Sequence, residues 1–284
     1  MALSIRTDLA EEARRLWQRD AEKTAALPGV LAREETLRGL PVFAVNIIKE
    51  EGAHALGKAM GKYYSLRLPA HAQRGGAEFQ AAAEALAALI RRCMKEPPQS
   101  VLVAALGNPD ITPDALGSLA ADSILVTRHL KQAQPRDFSG FCSLALCRPG
   151  VLGTTGMESA AQIGMLVRAL RPELVIVIDA LAGAEAEQLC RTVQVSDAGI
   201  CPGSGVGNDR QELSRRSLGV PVISLGMPTV IDAAVFGGEA IGGMFVTPRD
   251  IDSRVREGGR IIGYAVNLAV HSGIGFADID ALVG

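Results

Sequence analysis

The chain reads as a single α/β domain, an α/β/α sandwich around a mostly parallel central sheet, and three observations predict that architecture. The apolar runs Ser100 to Leu106 and Leu174 to Ile178 lack polar alternation, the pattern of central strands buried on both faces. Segments of helical periodicity separate such runs, so strand and helix alternate from residue 100 onward. The 284 residues, 48% hydrophobic and 21% charged at net charge −2, suffice for a large core under a polar surface.

In chain order, residues 1–35 are charged and helix-permissive, and Pro41 to Ile48 with Tyr63 to Leu68 form a plausible antiparallel strand pair around a polar link. Ala77 to Lys95 is helical, and Pro97-Pro98 stops it before strand 100–106. A helix over 113–131 precedes a short strand over Phe141 to Leu146, then a helix over 156–170 and strand 174–178. A helix near 184–190, a strand from Thr192 to Val195, a helix over 208–217, a strand from Pro221 to Leu225 and a last helix over 248–270 complete the succession. No Pro/Ser-rich linker or internal repeat divides the chain.

Several function classes are disfavoured. No apolar stretch is long enough to span a membrane, and the charged N-terminal residues Asp8, Glu11, Glu12, Arg14 and Arg15 do not resemble a signal peptide, so a cytoplasmic location is expected. Cys93, Cys142, Cys147, Cys190 and Cys201 show no C-x-x-C spacing and are odd in number, which fits reduced thiols. The scattered His54, His71, His129 and His271 suggest no metal centre, and no cofactor is expected. A near-neutral charge and 4% aromatic residues argue against nucleic-acid binding. Gly52 to Lys58 matches most of a phosphate-binding loop, but Ala59 supplies no hydroxyl and no buried strand precedes it.

The chemistry points to two aspartates. Asp114-Ala115-Leu116 and Asp179-Ala180-Leu181 open the same tripeptide after an apolar run, which places both carboxylates toward the carboxyl ends of parallel strands, where open α/β sheets bind ligands. Thr112-Pro113-Asp114 is also explained as a helix start, with Thr112 as N-cap and Asp114 facing the positive end of the helix dipole. Asp179 has a turn-capping alternative, yet five apolar residues before it would desolvate an ionised carboxylate. The loop Gly203-Ser204-Gly205-Val206-Gly207-Asn208 offers N–H groups to a carbonyl or anion, while Thr154 and Thr155 in Gly153 to Glu158 offer hydroxyls or simply make a turn. Pro202 spoils a G-x-S-x-G elbow, and Ser204 has no ordered His and Asp partners.

Ile5 to Ala10, Leu106 to Asn108, Thr112 to Gly117, Leu125 to Leu130, Gly150 to Gly156, Ile176 to Ala182, Pro202 to Asn208 and Pro228 to Ala233 together resemble, in order, the blocks of the germination protease family of spore-forming bacteria. The resemblance implies a phosphorylase/hydrolase-like fold similar to hydrogenase-maturation peptidases. It also implies an atypical aspartic endopeptidase with catalytic Asp114 and Asp179, made as a zymogen and assembled as a homotetramer. Small acid-soluble spore proteins are the implied substrates, in the cytoplasm of the forespore or spore core. On this reading residues 1–8 are a propeptide removed by self-cleavage between Asp8 and Leu9, and 9–284 form the peptidase domain. Two departures are Cys201, where the family often has histidine, and the short link Ala234 to Phe245, which marks a compact subtype.

In the implied mechanism Asp114 is the base that takes a proton from water, and Asp179 holds the proton donated to the peptide. Gly203, Ser204, Gly205 and Gly207 are the candidates for oxyanion or substrate binding. Two rival readings are a hydrogenase-maturation type endopeptidase, which needs a third metal ligand, and a non-enzymatic anion- or nucleoside-binding module, which leaves Asp179 unexplained.

Overall fold

The computed structural model describes residues 7–20, 27–207, 210–237 and 241–283; residues 1–6 of the expected propeptide and Asn208 of the glycine loop lie outside them. Helix α1 (Ala10–Asp20) leads into β1 (Val30–Leu37), β2 (Leu40–Ile47), α2 (Glu50–Leu56) and β3 (Gly61–Arg67). Next come α3 (Ala77–Cys93), β4 (Ser100–Ala105), α4 (Leu116–Ala121), α5 (Arg128–Ala133) and β5 (Ser143–Cys147). Then follow α6 (Leu152–Thr155), α7 (Ser159–Leu170), β6 (Leu174–Gly183), β7 (Thr192–Ser196), α8 (Arg215–Leu218) and β8 (Val222–Asp232). The chain closes with α9 (Ala234–Gly237), β9 (Phe245–Val246), α10 (Ile251–Val270) and α11 (Phe276–Val283).

The strands form one sheet in the order β1-β2-β3-β7-β8-β6-β4-β5, with β9 paired to β8. The expected parallel pairing holds across β5-β4-β6-β8, while β1-β2-β3-β7 is antiparallel and β7 meets β8 antiparallel. The difference follows from connection length: β6 and β7 are joined by eight residues around a 3₁₀ turn, Ala186–Gln188, too few for a helical crossover. Phe79, Leu86 and Ile90 of α3 pack with Ile261 and Tyr264 of α10 on one face, and Ile163 and Val167 of α7 cover Val175 and Val177 on the other. The layers are those of an α/β/α sandwich. Helices α1 and α2 close the antiparallel end through Ala10, Val45, Leu56 and Tyr63.

Four expected elements change form, and the first is the helix expected near 184–190, which is only the 3₁₀ turn Ala186–Gln188 because β6 runs on to Gly183 and leaves too short a link. Residues 30–35, read as helix-permissive, belong to the edge strand β1, whose exposed Arg33 and Glu34 hide any alternation and suit an edge that must not pair further. The helix expected over 113–131 breaks into a 3₁₀ turn (Thr112–Asp114), α4 and α5, because buried Asn267 of α10 donates to the Ser123 carbonyl at 2.8 Å and accepts from the Leu125 N–H at 2.9 Å. Of the helix expected over 208–217, residues 208 and 209 lie outside the described ones, and among the rest only α8 is helical, begun by a reciprocal Ser214–Ser217 cap.

Candidate active site

Strand β4 stops pairing with β6 at Ala105 opposite Ile178, and Gly107 then turns the chain away at φ 96°. Asp179 is the next residue of β6. It therefore sits at a step in the sheet, flanked by β8 on one side and by an opening on the other, and not at the end of its own strand, which continues to Gly183. A β-bulge follows: Leu181 pairs with Pro228 but Ala182 with Val230, leaving Thr229 as the extra residue. Beyond the step lies a cleft of about 590 Å³, lined by Asp8, Asp114, Asp179, Gly203 and Thr229 among others. Exposed Ile111 and Phe245 form an apolar part of its wall.

The Asp114 loop is held by close backbone approach. A Cβ on Gly107 would stand 1.9 Å from the Asp114 carbonyl oxygen, and one on Gly117 of α4 would stand 2.3 Å from the Leu106 carbonyl oxygen and 2.9 Å from that of Ile178. Only glycine fits at either place. The Asp114 carboxylate accepts the Asn108 N–H at 2.7 Å, which counters the rise in its pKa caused by burial. The N-cap role foreseen for Thr112 is absent, since no side chain caps the 3₁₀ turn.

Asp179 is 5% exposed. Desolvation raises its pKa well above the usual carboxylate range, the charges of Asp114 and then Asp8 raise it further, and the Ala180 N–H at 3.0 Å opposes them. Two carboxyl groups of one cleft are thus coupled, and the more buried one is the better proton holder.

A third carboxylate joins them, that of Asp8, the residue before the expected self-cleavage point. Asp8 accepts the Ala182 N–H at 2.8 Å on Oδ2 and the Ser204 hydroxyl at 2.7 Å on Oδ1, and its own N–H donates to the Ala182 carbonyl at 2.9 Å. Gly205 lies so near that a Cβ there would be 2.4 Å from Asp8 Oδ2. Nearby, Lys58 Nζ donates to the Thr7 carbonyl at 2.7 Å. Burial lowers the Lys58 pKa, and the charges of Asp8 and Glu12 support its ammonium form. Glu12 is fully buried, accepts from Thr7 Oγ1, Ala184 N and Glu185 N, and is pushed up to about 7 mainly by desolvation.

The other candidates separate. Gly203 lines the cleft, Ser204 and Gly205 face Asp8, and Gly207 serves as the left-handed cap of the 3₁₀ turn Ser204–Val206. Thr154 and Thr155 both donate their hydroxyls to the Val151 carbonyl, at 3.0 and 3.1 Å, so they shape the turn. Leu9, on the far side of the expected scissile bond, is 0% exposed. Among the described residues no group of three or more His, Cys, Asp or Glu is placed to hold a metal ion, and no helix is long and apolar enough to cross a membrane.

The family model and the curated relatives share one name. The family model described as germination protease matches residues 6–245. A germination protease of Clostridium perfringens is 33% identical over 324 aligned positions, covering 98% of this chain and 98% of that protein. That alignment is longer than the 284 residues here, so the relative carries residues this chain lacks. One from Caldanaerobacter subterraneus subsp. tengcongensis is 43% identical over 243 positions, 85% of this chain and 74% of the relative. Among solved structures, the [NiFe] hydrogenase maturation protease HycI of Thermococcus kodakarensis KOD1 aligns at TM-score 0.36 and 14% identity over 63% of this chain and 98% of that one.

Proposed function

Since this chain belongs to the germination protease family, a family of peptidases, we propose that the cleft hydrolyses peptide bonds by an aspartate pair, Asp114 and Asp179. The observation that supports this most is a nearly fully buried Asp179 whose pKa is raised first by desolvation and then by Asp114 across the same cleft. Asp179, the more buried carboxyl, holds the shared proton and Asp114 takes a proton from water. Asp179 then protonates the carbonyl oxygen or the leaving amine, and no covalent intermediate forms. Both carboxyls lie above the ordinary range, so the one-proton form persists to higher pH than in an isolated pair. Activity falls when acid adds a second proton to the pair and when alkali removes the last one.

In this reading the enzyme is an atypical aspartic endopeptidase that starts the breakdown of small acid-soluble spore proteins in the spore core. It assembles as a homotetramer, needs no cofactor or metal, and is made as a zymogen that cuts itself between Asp8 and Leu9. The described part of the N-terminal segment supports the last point, because Asp8 lines the cleft that holds the pair. Incubating the purified chain with a small acid-soluble spore protein at mildly acidic pH tests it, with fragments and N-termini read by mass spectrometry. We expect spore-protein fragments and a new terminus at Leu9 in wild type, and neither in Asp179→Asn. An uncut substrate contradicts the peptidase assignment, and an unprocessed N-terminus on fully active enzyme contradicts self-cleavage.

A further inference from the structure

We infer that the side-chain amide of Asn108 holds the carbonyl oxygen of the scissile bond, as a third catalytic residue beside the aspartate pair. The inference rests on the peptidase reading above and assigns a part that reading leaves open. Attack by the water that Asp114 activates puts negative charge on that oxygen, and a donor fixed beforehand where the charge develops lowers the barrier. The glycine loop expected to supply it is otherwise engaged. Ser204 donates to Asp8, Gly205 packs against the same carboxylate, and Gly207 caps its own turn. Thr154 and Thr155 give their hydroxyls to the Val151 carbonyl, and Arg210 pairs with Glu158 at 3.7 Å.

Asn108 stands where the cleft opens. Gly107 turns the chain at φ 96° and brings the next residue against Asp114, whose carboxylate accepts the Asn108 N–H at 2.7 Å. The short side chain of Asn108 therefore starts beside the base, and the residue lines the cleft together with Asp114 and Asp179. One contact orients its amide. Oδ1 accepts the Asp110 N–H at 3.0 Å, which leaves Nδ2 as the free end, and among the described residues Nδ2 has no partner. Gln211, the other side-chain amide lining the cleft, is exposed and bonds to neither aspartate. With the carbonyl oxygen held by Nδ2–H, the water oxygen bonds to the carbonyl carbon, one water proton goes to Asp114, and the carbonyl electron pair moves onto the held oxygen. The Asp179 proton then goes to the amide nitrogen, the C–N bond breaks, and the carbonyl reforms to give a carboxylic acid and an amine. Asp114 ends with the proton and Asp179 without one, so the pair keeps its single proton and exchange through solvent restores the starting form.

The test compares Asn108→Ala and Asn108→Asp with wild type, all brought to the same N-terminus and assayed on a small acid-soluble spore protein from pH 4 to pH 9, with thermal unfolding recorded on each preparation. The main-chain N–H that holds Asp114 survives in both variants. Aspartate also keeps an oxygen for the Asp110 N–H, so it preserves the loop and removes only the donor. Both variants are expected to fold and to lose about a hundredfold to a thousandfold in kcat, with KM changed about twofold or less. In Asn108→Ala both limbs of the pH profile stay where wild type has them, because the aspartate pair is intact. In Asn108→Asp the acid limb moves to higher pH, since a second negative charge beside Asp114 raises its pKa, while the plateau stays low. A kcat near wild type in Asn108→Ala, activity restored by aspartate, or an acid limb displaced in Asn108→Ala overturns the assignment and leaves the pair standing. Failure of both variants to fold overturns it too, because the amide is then structural. A spore protein left uncut by wild type removes the peptidase reading itself, and the role of Asn108 with it.

Discussion

Replacing Asp179 by asparagine is expected to abolish peptide hydrolysis and, in the same protein, to raise the melting temperature at neutral pH. The loss should reach about a thousandfold or more, because the proton donor of the pair is gone and the two groups act as a unit. The stability gain follows from linkage. The folded-state pKa of Asp179 is raised, first by desolvation and then by Asp114 and Asp8, so the native chain binds this proton more tightly than the unfolded chain does. That contribution is favourable at low pH and is lost as pH rises from the unfolded value near 3.8 through the raised folded one. Asparagine keeps the shape and can still accept the Ala180 N–H, but has no charge to desolvate. Each kcal/mol recovered is worth about 2–4 °C in a chain of this size. Thermal unfolding from pH 5 to pH 8 should show a flatter pH dependence for Asp179→Asn than for wild type. A lower melting temperature at every pH would show that the carboxyl is structural, and near-wild-type turnover would remove it from the chemistry.

The second large effect is expected from Gly117→Ala, where two rules oppose each other. Glycine within a helix is worse than alanine by about 1 kcal/mol, so propensity alone predicts a more stable protein. The added Cβ would press into two backbone carbonyls, those of Leu106 and Ile178, and main chain cannot swing aside as a long side chain can. Overpacking of this kind costs about 1–3 kcal/mol, so steric crowding should win. Because α4 follows directly on Asp114, its displacement also moves that carboxylate and should lower kcat about tenfold or more. Gly164→Ala in α7 is the matched control. Its nearest contact is Arg168 Nη1 at 3.6 Å, so propensity acts unopposed and denaturant unfolding should show a gain of about 1 kcal/mol. Equal shifts in the two variants would refute the close approach at Gly117.

How far the sequence revealed these features depends on how local each one is. Asp179 was legible because five apolar residues precede it, and burial of a carboxyl can be read from its immediate neighbours. The step that opens the cleft was not, since it arises where β4 turns away while β6 runs on through Ala-Leu-Ala-Gly, a stretch with no strand alternation to read. Strand β4 and the long helices α3 and α10 match their periodicity closely, whereas β6 and β8 run on to Gly183 and Asp232 past the expected ends at Ile178 and Leu225, and β1 carries its charges on an exposed edge and mimics a helix. Asp8 could be seen as a cleavage position through family resemblance. Its partners Ala182 and Ser204 lie 174 and 196 residues away, and nothing in the local pattern signals them. Lys58 was hidden in another way. It closes a stretch that mimics a phosphate-binding loop, and once that reading fails no local feature marks a lysine whose work is to hold the Thr7 carbonyl.

The coupled carboxyl pair carries the whole account, and Asp114 is the member whose role depends most on it, because its loop could serve merely as a helix start. The most direct measurement is steady-state hydrolysis of a small acid-soluble spore protein by Asp114→Asn that has been pre-cut to begin at Leu9, followed from pH 4 to pH 9 with thermal unfolding recorded on the same preparation. The pair predicts a folded protein whose turnover is at least about a thousandfold below similarly pre-cut wild type at every pH, with the bell-shaped wild-type profile gone. A folded Asp114→Asn that hydrolyses the substrate at near-wild-type rate, with the profile intact, would contradict it.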